Sequence, residues 1–288
     1  MDKESQALDD AYYADRHWSY SSLKHLAGDF PDWPKALESL FGLNKASASM
    51  ALGTATHSLI LDPEPKITSA EALGFDSFRT KDAKAARDER LNAGWTVLSN
   101  ANYAAARKMA DAVLSHPMVK RFDLFGGVHE EGHELDAQGM AIRFKPDSYT
   151  LESPIGPFVV DLKTTQDTVL YGGFTKAAKD YRYDVQAALY SSSLRSAYGL
   201  DVMPRFFFVA VDGNGVVGCF EASPPSAFWD SGAAAIAQAV GRVVERGWED
   251  PKSIPEHEYE DLIDEREKAD SGHVAAFREL AESNFIQL

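Results

Sequence analysis

Apolar positions upstream of about residue 125 recur at helical spacing, as in Tyr103 to Leu114, a run that stops short of Pro117. Ser19-Tyr20-Ser21-Ser22-Leu23 has the hydroxyl residues of a helix start, and Ala51 to Leu61 is an apolar helical stretch carrying one imidazole, His57. Residues 1 to about 125 are therefore expected to be mainly helical. From 126 to 165 the pattern predicts three strands, with Asp136-Ala137-Gln138-Gly139 as a hairpin turn. Met140 to Lys145 is one of these strands. Phe158-Val159-Val160 is another, too short for a helix and entered through Pro154-Ile155-Gly156-Pro157. Helical spacing returns from Phe174 to Tyr198 and is stopped by Gly199. Arg205 to Val211 and Val216 to Phe220 form a late strand pair around Asp212-Gly213-Asn214-Gly215, and a helix follows from Ala227 to about Arg246. Helical decoration is expected over the last forty or so residues.

The strand reading places chemistry. Alternation puts Asp161 and Lys163 on one face and turns Leu162 to the other. Pro146 breaks the ladder of the Met140 to Lys145 strand and leaves Asp147 at its end. Two hard carboxylates suit Mg²⁺ or Mn²⁺, and a lysine beside such an ion orients or deprotonates an attacking water and offsets charge growing on a phosphate. A strand-edge salt bridge between Asp161 and Lys163 explains the same spacing. Gln186 and Tyr190 lie four apart, hence on one helical face. Taken singly, His57 reads equally as a core histidine, and the Gln186 helix as an ordinary amphipathic one.

Composition sets limits on these readings. With 288 residues and 44% hydrophobic content the chain can bury a full core, and it is expected to form one domain, with 251–288 as an acidic tail. The start Met1-Asp2-Lys3-Glu4-Ser5 lacks the basic and apolar regions of a secretory signal, and the run Phe206 to Val211 is far below a membrane span. A soluble cytoplasmic protein is the expectation. Cys219 is the only cysteine, so one chain makes neither an internal disulfide nor a four-cysteine iron-sulfur site. His129 and His133 share a strand face, but no third soft ligand nearby points to zinc.

The net charge of −15, from 29 basic and 44 acidic residues, is unusual for a nucleic-acid-binding protein. Segregated charge and bound divalent ions weaken that objection. Basic residues cluster as Arg79, Lys81, Lys84, Arg87 and Arg90, as Arg143 with Lys145, and as Lys176, Lys179 and Arg182; solvated helix faces are the plain alternative to DNA tracks. Acidic residues gather late, from Glu256 and Glu258 to Glu260, Asp261, Asp264, Glu265 and Glu267, where they suit an outer soluble surface or a partner.

Taken in order, Gly53-x-x-x-His57, Pro146-Asp147, Asp161-x-Lys163-Thr164-Thr165 and Gln186-x-x-x-Tyr190 resemble the PD-(D/E)XK nuclease superfamily, its RecB-like branch, and within it the RecE (exonuclease VIII) nuclease domain with its phage-encoded relatives. The likeness runs from about residue 12 to about 250. It includes Tyr12-Tyr13-Ala14-Asp15, Trp18 to Lys24, Ser49 to His57, Ala93 to Ser99, Met109 to Val113 and Tyr181-x-Tyr183-x-x-Gln186-Ala187-Ala188-x-Tyr190. An aromatic usual after the acidic strand residue is missing here, and Asp212 to Gly215 replaces a charged, proline-rich stretch.

The resemblance implies a restriction-endonuclease-like α/β core, a mixed sheet flanked by helices, built in the order helix, three strands, helix, strand. It implies His57, Asp147, Asp161 and the Leu162 carbonyl as metal ligands and Lys163 as the catalytic lysine. Gln186 and Tyr190 would orient the metal site or the DNA backbone. An acidic residue belongs in the strand before Pro146-Asp147, and Glu130 or Glu131 is preferred over Glu134 as a helper acid, exposed strand glutamates being the alternative for each. The implied activity is Mg²⁺-dependent hydrolysis of DNA, with Mn²⁺ substituting, by a 5′-to-3′ exonuclease on double-stranded ends. The implied partners are other copies of the chain in a ring and a single-strand annealing protein. A single-strand or structure-specific nuclease, and a DNA-binding module without catalysis, are the competing readings.

Overall fold

Short strands and helices alternate along the chain in a computed structural model, which describes residues 17–42 and 48–258. Strand β1 (Trp18–Ser19) leads into the one-turn helix α1 (Tyr20–Leu23), where Ser22 Oγ accepts from the Ser19 N–H at 3.0 Å. Helix α2 (Trp33–Leu40) starts at Asp32, whose side chain accepts from the Lys35 N–H, and α3 (Ala48–Leu61) is the apolar stretch that carries His57. Next come β2 (Ile67–Ser69), α4 (Lys81–Asn92) and β3 (Thr96–Leu98), with β2 and β3 paired in parallel. Helix α5 (Asn100–Ser115) is capped by Ser99, and α6 (Pro117–Phe122) opens on the proline that ended the helical pattern. Among its described residues the expected helical half thus holds three short strands. Each has two or three residues, too few to show a period, and exists because a distant partner pairs with it.

Five strands, not three, lie between 126 and 165: β4 (Val128–His129), β5 (His133–Ala137), β6 (Met140–Phe144), β7 (Ser148–Thr150) and β8 (Phe158–Thr165). The β5–β6 hairpin turns at Gln138-Gly139, both at positive φ (58° and 83°), and pairs with β1 through Trp18 and Ile142. Lys145-Pro146-Asp147 is then the step from one sheet to another. Asp147 enters β7, and the strand before Pro146 belongs to a different sheet from Asp161.

Helix α7 (Gly173–Asp180) and helix α8 (Tyr183–Tyr198) replace the single helix expected from 174 to 198. The break is at Arg182, which takes φ 56° and grips Asp184 with two 3.0 Å bonds from Nε and Nη2. Gly199, at φ 59°, ends α8 as expected. The strands β9 (Arg205–Asp212) and β10 (Val217–Glu221) and helix α9 (Ala227–Glu245) complete the order. Residues 251–258 form two 3₁₀ turns, while the expected acidic tail from Glu260 onward and Tyr12 to Asp15 lie outside the described residues.

The main sheet runs β10-β9-β8-β7-β4. Its β8–β9 pair is parallel and requires a crossover, which α7 and α8 supply; the other pairs are antiparallel. Phe158, Val160 and Leu162 face Ile60, Leu61, Met109 and Val113 of α3 and α5. Val159, Phe206 and Phe208 face Val185, Leu189, Val240 and Val243 of α8 and α9. By alternation Asp161 and Lys163 point to the α8 side, as the sequence predicts. Among the described residues, no helix is long and apolar enough to cross a membrane.

Close packing sets where α8 lies. A Cβ at Gly232 of α9 would come 1.9 Å from the Asp184 carbonyl oxygen, whereas one at Gly241 on the same helix would meet nothing within 4 Å. Gly232→Ala is expected to lower stability by about 1–3 kcal/mol through overpacking. Gly241→Ala is expected to raise it by about 0.5–1 kcal/mol through helix propensity. Thermal melts of the two variants check this; equal melting temperatures would remove the close contact from the account.

Candidate active site

Two strands and two helices bring the polar groups together at the centre of the main sheet. Asp161 is 3% exposed on β8, a central strand covered on both faces. Its Oδ1 accepts a short hydrogen bond from Gln186 Nε2 of α8. Its Oδ2 lies 2.6 Å from Lys163 Nζ as an ion pair without an aligned hydrogen bond. The expected strand salt bridge therefore exists, but inside a larger group.

Asp147 stands across from this pair. Its Oδ2 accepts the Leu162 N–H at 2.6 Å and lies 3.6 Å from His57 Nδ1 on α3. Helix α3 comes close because residue 53 is glycine: a Cβ there would stand 2.9 Å from Thr164 Oγ1 at the end of β8. Glycine and histidine one turn apart on one helix face thus serve separately, the first allowing close approach and the second pairing with Asp147.

The charges shift one another. Burial pushes the Asp161 carboxyl up to about 6, against the pull of Lys163 and with the push of Asp147. Burial also opposes ionisation of Asp147, but His57 and then Lys163 and the Leu162 N–H hold its carboxyl below the usual value. Burial disfavours a charged His57, yet Asp147 outweighs it and raises the imidazole. For Lys163 burial is likewise overcome, by Asp161 first, then Tyr183 and Asp147, so its ammonium is held above the ordinary lysine value.

The donors suit a hard divalent cation: one buried and one half-buried carboxylate and an imidazole, with Asp161 Oδ2 and Gln186 Oε1 buried and lacking hydrogen-bond partners. Among the described residues, no three His, Cys, Asp or Glu side chains form a ready-made cation cluster. The carboxylates are instead neutralised in pairs, Asp147 by His57 and Asp161 by Lys163. Any cation would take over charges that the protein here balances internally.

Other predicted residues are placed elsewhere. Tyr190, one turn beyond Gln186, is buried with its ring 5.9 Å from Phe144 and 6.4 Å from Phe206. Glu131 accepts from Tyr149 Oη at 2.6 Å, and that hydroxyl also meets Tyr198, about three turns along α8 from Gln186. Glu130, at φ 48°, reaches Asp147 through its backbone, its N–H donating to the Asp147 carbonyl at 3.2 Å. Glu134 pairs with His17 and Arg143 at 3.3 and 3.6 Å. The Glu131 and Glu134 carboxylates are thus engaged by Tyr149 and by His17 with Arg143. His129 spans the Leu61 and Phe125 carbonyls at 2.7 Å each, while His133 stacks on Phe144 in the other sheet, so the two do not converge.

Of the basic clusters, Arg87 pairs with Asp88, Arg90 covers Trp95, Lys176 pairs with Asp180 and Arg182 with Asp184. Much of that charge is balanced within the chain. Two groups beside the site escaped notice in the sequence. Tyr183 lies under Lys163, with Nζ 4.7 Å from its ring centroid. Lys24 stands over Tyr20 at 5.1 Å, its ammonium disfavoured by burial and then by the charge of Lys163. The motif Tyr181-x-Tyr183 held a signal for the first and the Trp18 to Lys24 stretch one for the second, but neither assigned the residue a place beside Lys163.

Comparison with known proteins bears on the family and the fold. A search of curated proteins finds no match. A crystal structure of a candidate exonuclease from Eubacterium rectale superposes with a TM-score of 0.56 at 16% identity, covering 88% of each chain. A second structure, of the protein SSO0001, covers 68% of this chain and 84% of its own at 12% identity, with a TM-score of 0.31 that bears no weight. The first likeness speaks for the fold. The family described as a PDDEXK-like domain of unknown function (DUF3799) matches residues 19–260, so the mixed sheet and its helices are a restriction-endonuclease-like core and the chain belongs to that family.

Proposed function

We propose that the chain is a Mg²⁺-dependent deoxyribonuclease, a 5′-to-3′ exonuclease of the RecE type on double-stranded ends. The observation that carries the reading is the joining of Asp161 and Lys163 on β8 with Gln186 from α8, beside Asp147 and His57. PDDEXK-like membership supports a nuclease that uses divalent metal. Exonuclease mode, polarity and the choice of Mg²⁺ rest on the resemblance of the ordered motifs. Ring assembly, duplex ends as substrate and a single-strand annealing partner belong to the same reading.

His57, Asp147, Asp161 and the Leu162 carbonyl would hold the ion, which when bound polarises the phosphodiester and lowers the pKa of water. Gln186 fixes Asp161 Oδ1, which leaves Oδ2 for the ion or for Lys163. The Leu162 N–H orients Asp147 in the same way. Lys163, held cationic by its neighbours, cannot take a proton at neutral pH. It donates instead, orienting the attacking water and stabilising charge on the phosphate as in-line displacement proceeds.

The test is Mg²⁺-dependent degradation of end-labelled linear duplex beside closed circular DNA. Release of mononucleotides or short products from the linear form alone is expected. A circle cut as quickly as the linear DNA would refute the exonuclease mode, and no hydrolysis of either would refute the nuclease.

A further inference from the structure

The roles assigned above leave Tyr181 without a function. Its ring is 58% exposed and lines, with Lys163, Thr164, Thr165, Tyr183 and Asn214, a cleft of about 770 Å³ beside the site. An exposed tyrosine alone says little. This one is held in place at its backbone: its carbonyl accepts from Tyr20 Oη at 2.7 Å, and its N–H donates to Ala177 at 2.9 Å. The next residue, Arg182, is held at positive φ and donates two hydrogen bonds to Asp184. That sparsely populated backbone conformation puts Tyr181 and Tyr183 side by side, rings 5.8 Å apart and 24° from parallel. The Lys163 ammonium, 4.7 Å from the Tyr183 centroid, continues the line.

An ammonium and two neighbouring rings thus line one open cleft. A nucleic-acid strand alternates phosphate and base, which need respectively a cation and a flat apolar face. The cleft falls within the roughly 300–1,000 Å³ of small-ligand sites, room for a nucleotide or two of single strand but not for a duplex. Because every base has such a face, stacking selects for an unpaired base and is tolerant of sequence.

We propose that Tyr181, backed by Tyr183, is a nucleobase subsite: the strand whose phosphodiester reaches Lys163 arrives with one base unpaired and stacked on the Tyr181 ring. This rests on the nuclease reading and adds that the DNA end must open before it is used. Tyr181 acts on the substrate by binding and takes no proton.

The test is a fluorescence titration of the full chain, in EDTA, with a short single-stranded DNA containing 2-aminopurine. Quenching is expected with the wild-type chain and with Tyr181→Phe, and about ten-fold weaker binding with Tyr181→Ala, the loss of one stacked base. The exposed position predicts unchanged melting temperatures for both variants. No quenching by the wild-type chain, or equal affinity for Tyr181→Ala, would overturn the subsite. Hydrolysis of the same strand with Mg²⁺ is followed separately. A raised KM with little change in kcat for Tyr181→Ala is expected, and an unchanged KM sinks the subsite alone. Quenching by a wild-type chain that hydrolyses neither this strand nor the end-labelled linear duplex would instead sink the nuclease reading and leave the subsite standing.

Discussion

Lys163→Ala is expected to lower phosphodiester hydrolysis by about 100-fold to 1,000-fold, the usual loss when one preorganised donor to a transition state is removed. It should also destabilise the metal-free chain at neutral pH. Asp161 is nearly fully buried, and its Oδ2 has Lys163 as its ionic partner. An unpaired buried charge costs roughly 3 kcal/mol or more when its partner is deleted. Adding Asp161→Asn to Lys163→Ala removes that charge, so the double variant is expected to recover most of the lost melting temperature.

Activity should respond differently. If Asp161 and Lys163 were only a strand salt bridge, the double variant would recover hydrolysis together with stability. In the proposed site it recovers stability and stays inactive, because a ligand and a donor are both missing. Thermal melts and turnover, measured on the wild type, Lys163→Ala, Asp161→Asn and the double variant, separate the two accounts. An active double variant would remove the pair from the chemistry.

The legible parts of this site are those fixed by local periodicity. A strand of period two decides without tertiary help that Asp161 and Lys163 share a face, and a helical step of four pairs Gly53 with His57. The hairpin at Gln138-Gly139 and the stop at Gly199 were equally visible, since both need positive φ. Residues whose meaning depends on a distant neighbour were not. Trp18–Ser19 is a strand only because β6, more than a hundred residues later, pairs with it, and that pairing draws β5 and β6 out of the main sheet. Glu131 meets Tyr149 for a like reason: β4 pairs with β7, setting Val128 opposite Tyr149. Arg182 breaks a helix that its own propensity would continue, because its ion pair with Asp184 holds the turn.

Divalent metal should stabilise the chain strongly above about pH 6 and scarcely at pH 5. Asp161 has its carboxyl raised from 3.8 to about 6, so between those values the metal-free fold holds a proton that the unfolded chain has released. Its contribution to stability is present below about 4 and is lost as pH rises toward 6. His57, also raised, acts with the same sign: its favourable pairing with Asp147 is present below its ordinary 6.5 and fades as pH climbs past its folded value. Asp147, held low, acts oppositely and loses its contribution only in acid below about 4. Coordination demands the deprotonated forms of all three. A cation therefore competes with protons at acid pH, and at neutral pH it replaces an electrostatic stabilisation that the bare fold has given up. The melting-temperature shift caused by Mg²⁺ is expected to grow from near zero at pH 5 until Asp161 and His57 have both released their protons, with hydrolysis falling by up to about 100-fold per unit below pH 6, where two protons must be displaced. In Asp161→Asn the rise through pH 6 should flatten, since the group that releases the proton is gone. A Mg²⁺ shift equal at pH 5 and pH 7.5 in the wild-type chain would show that the ion binds away from Asp161 and His57.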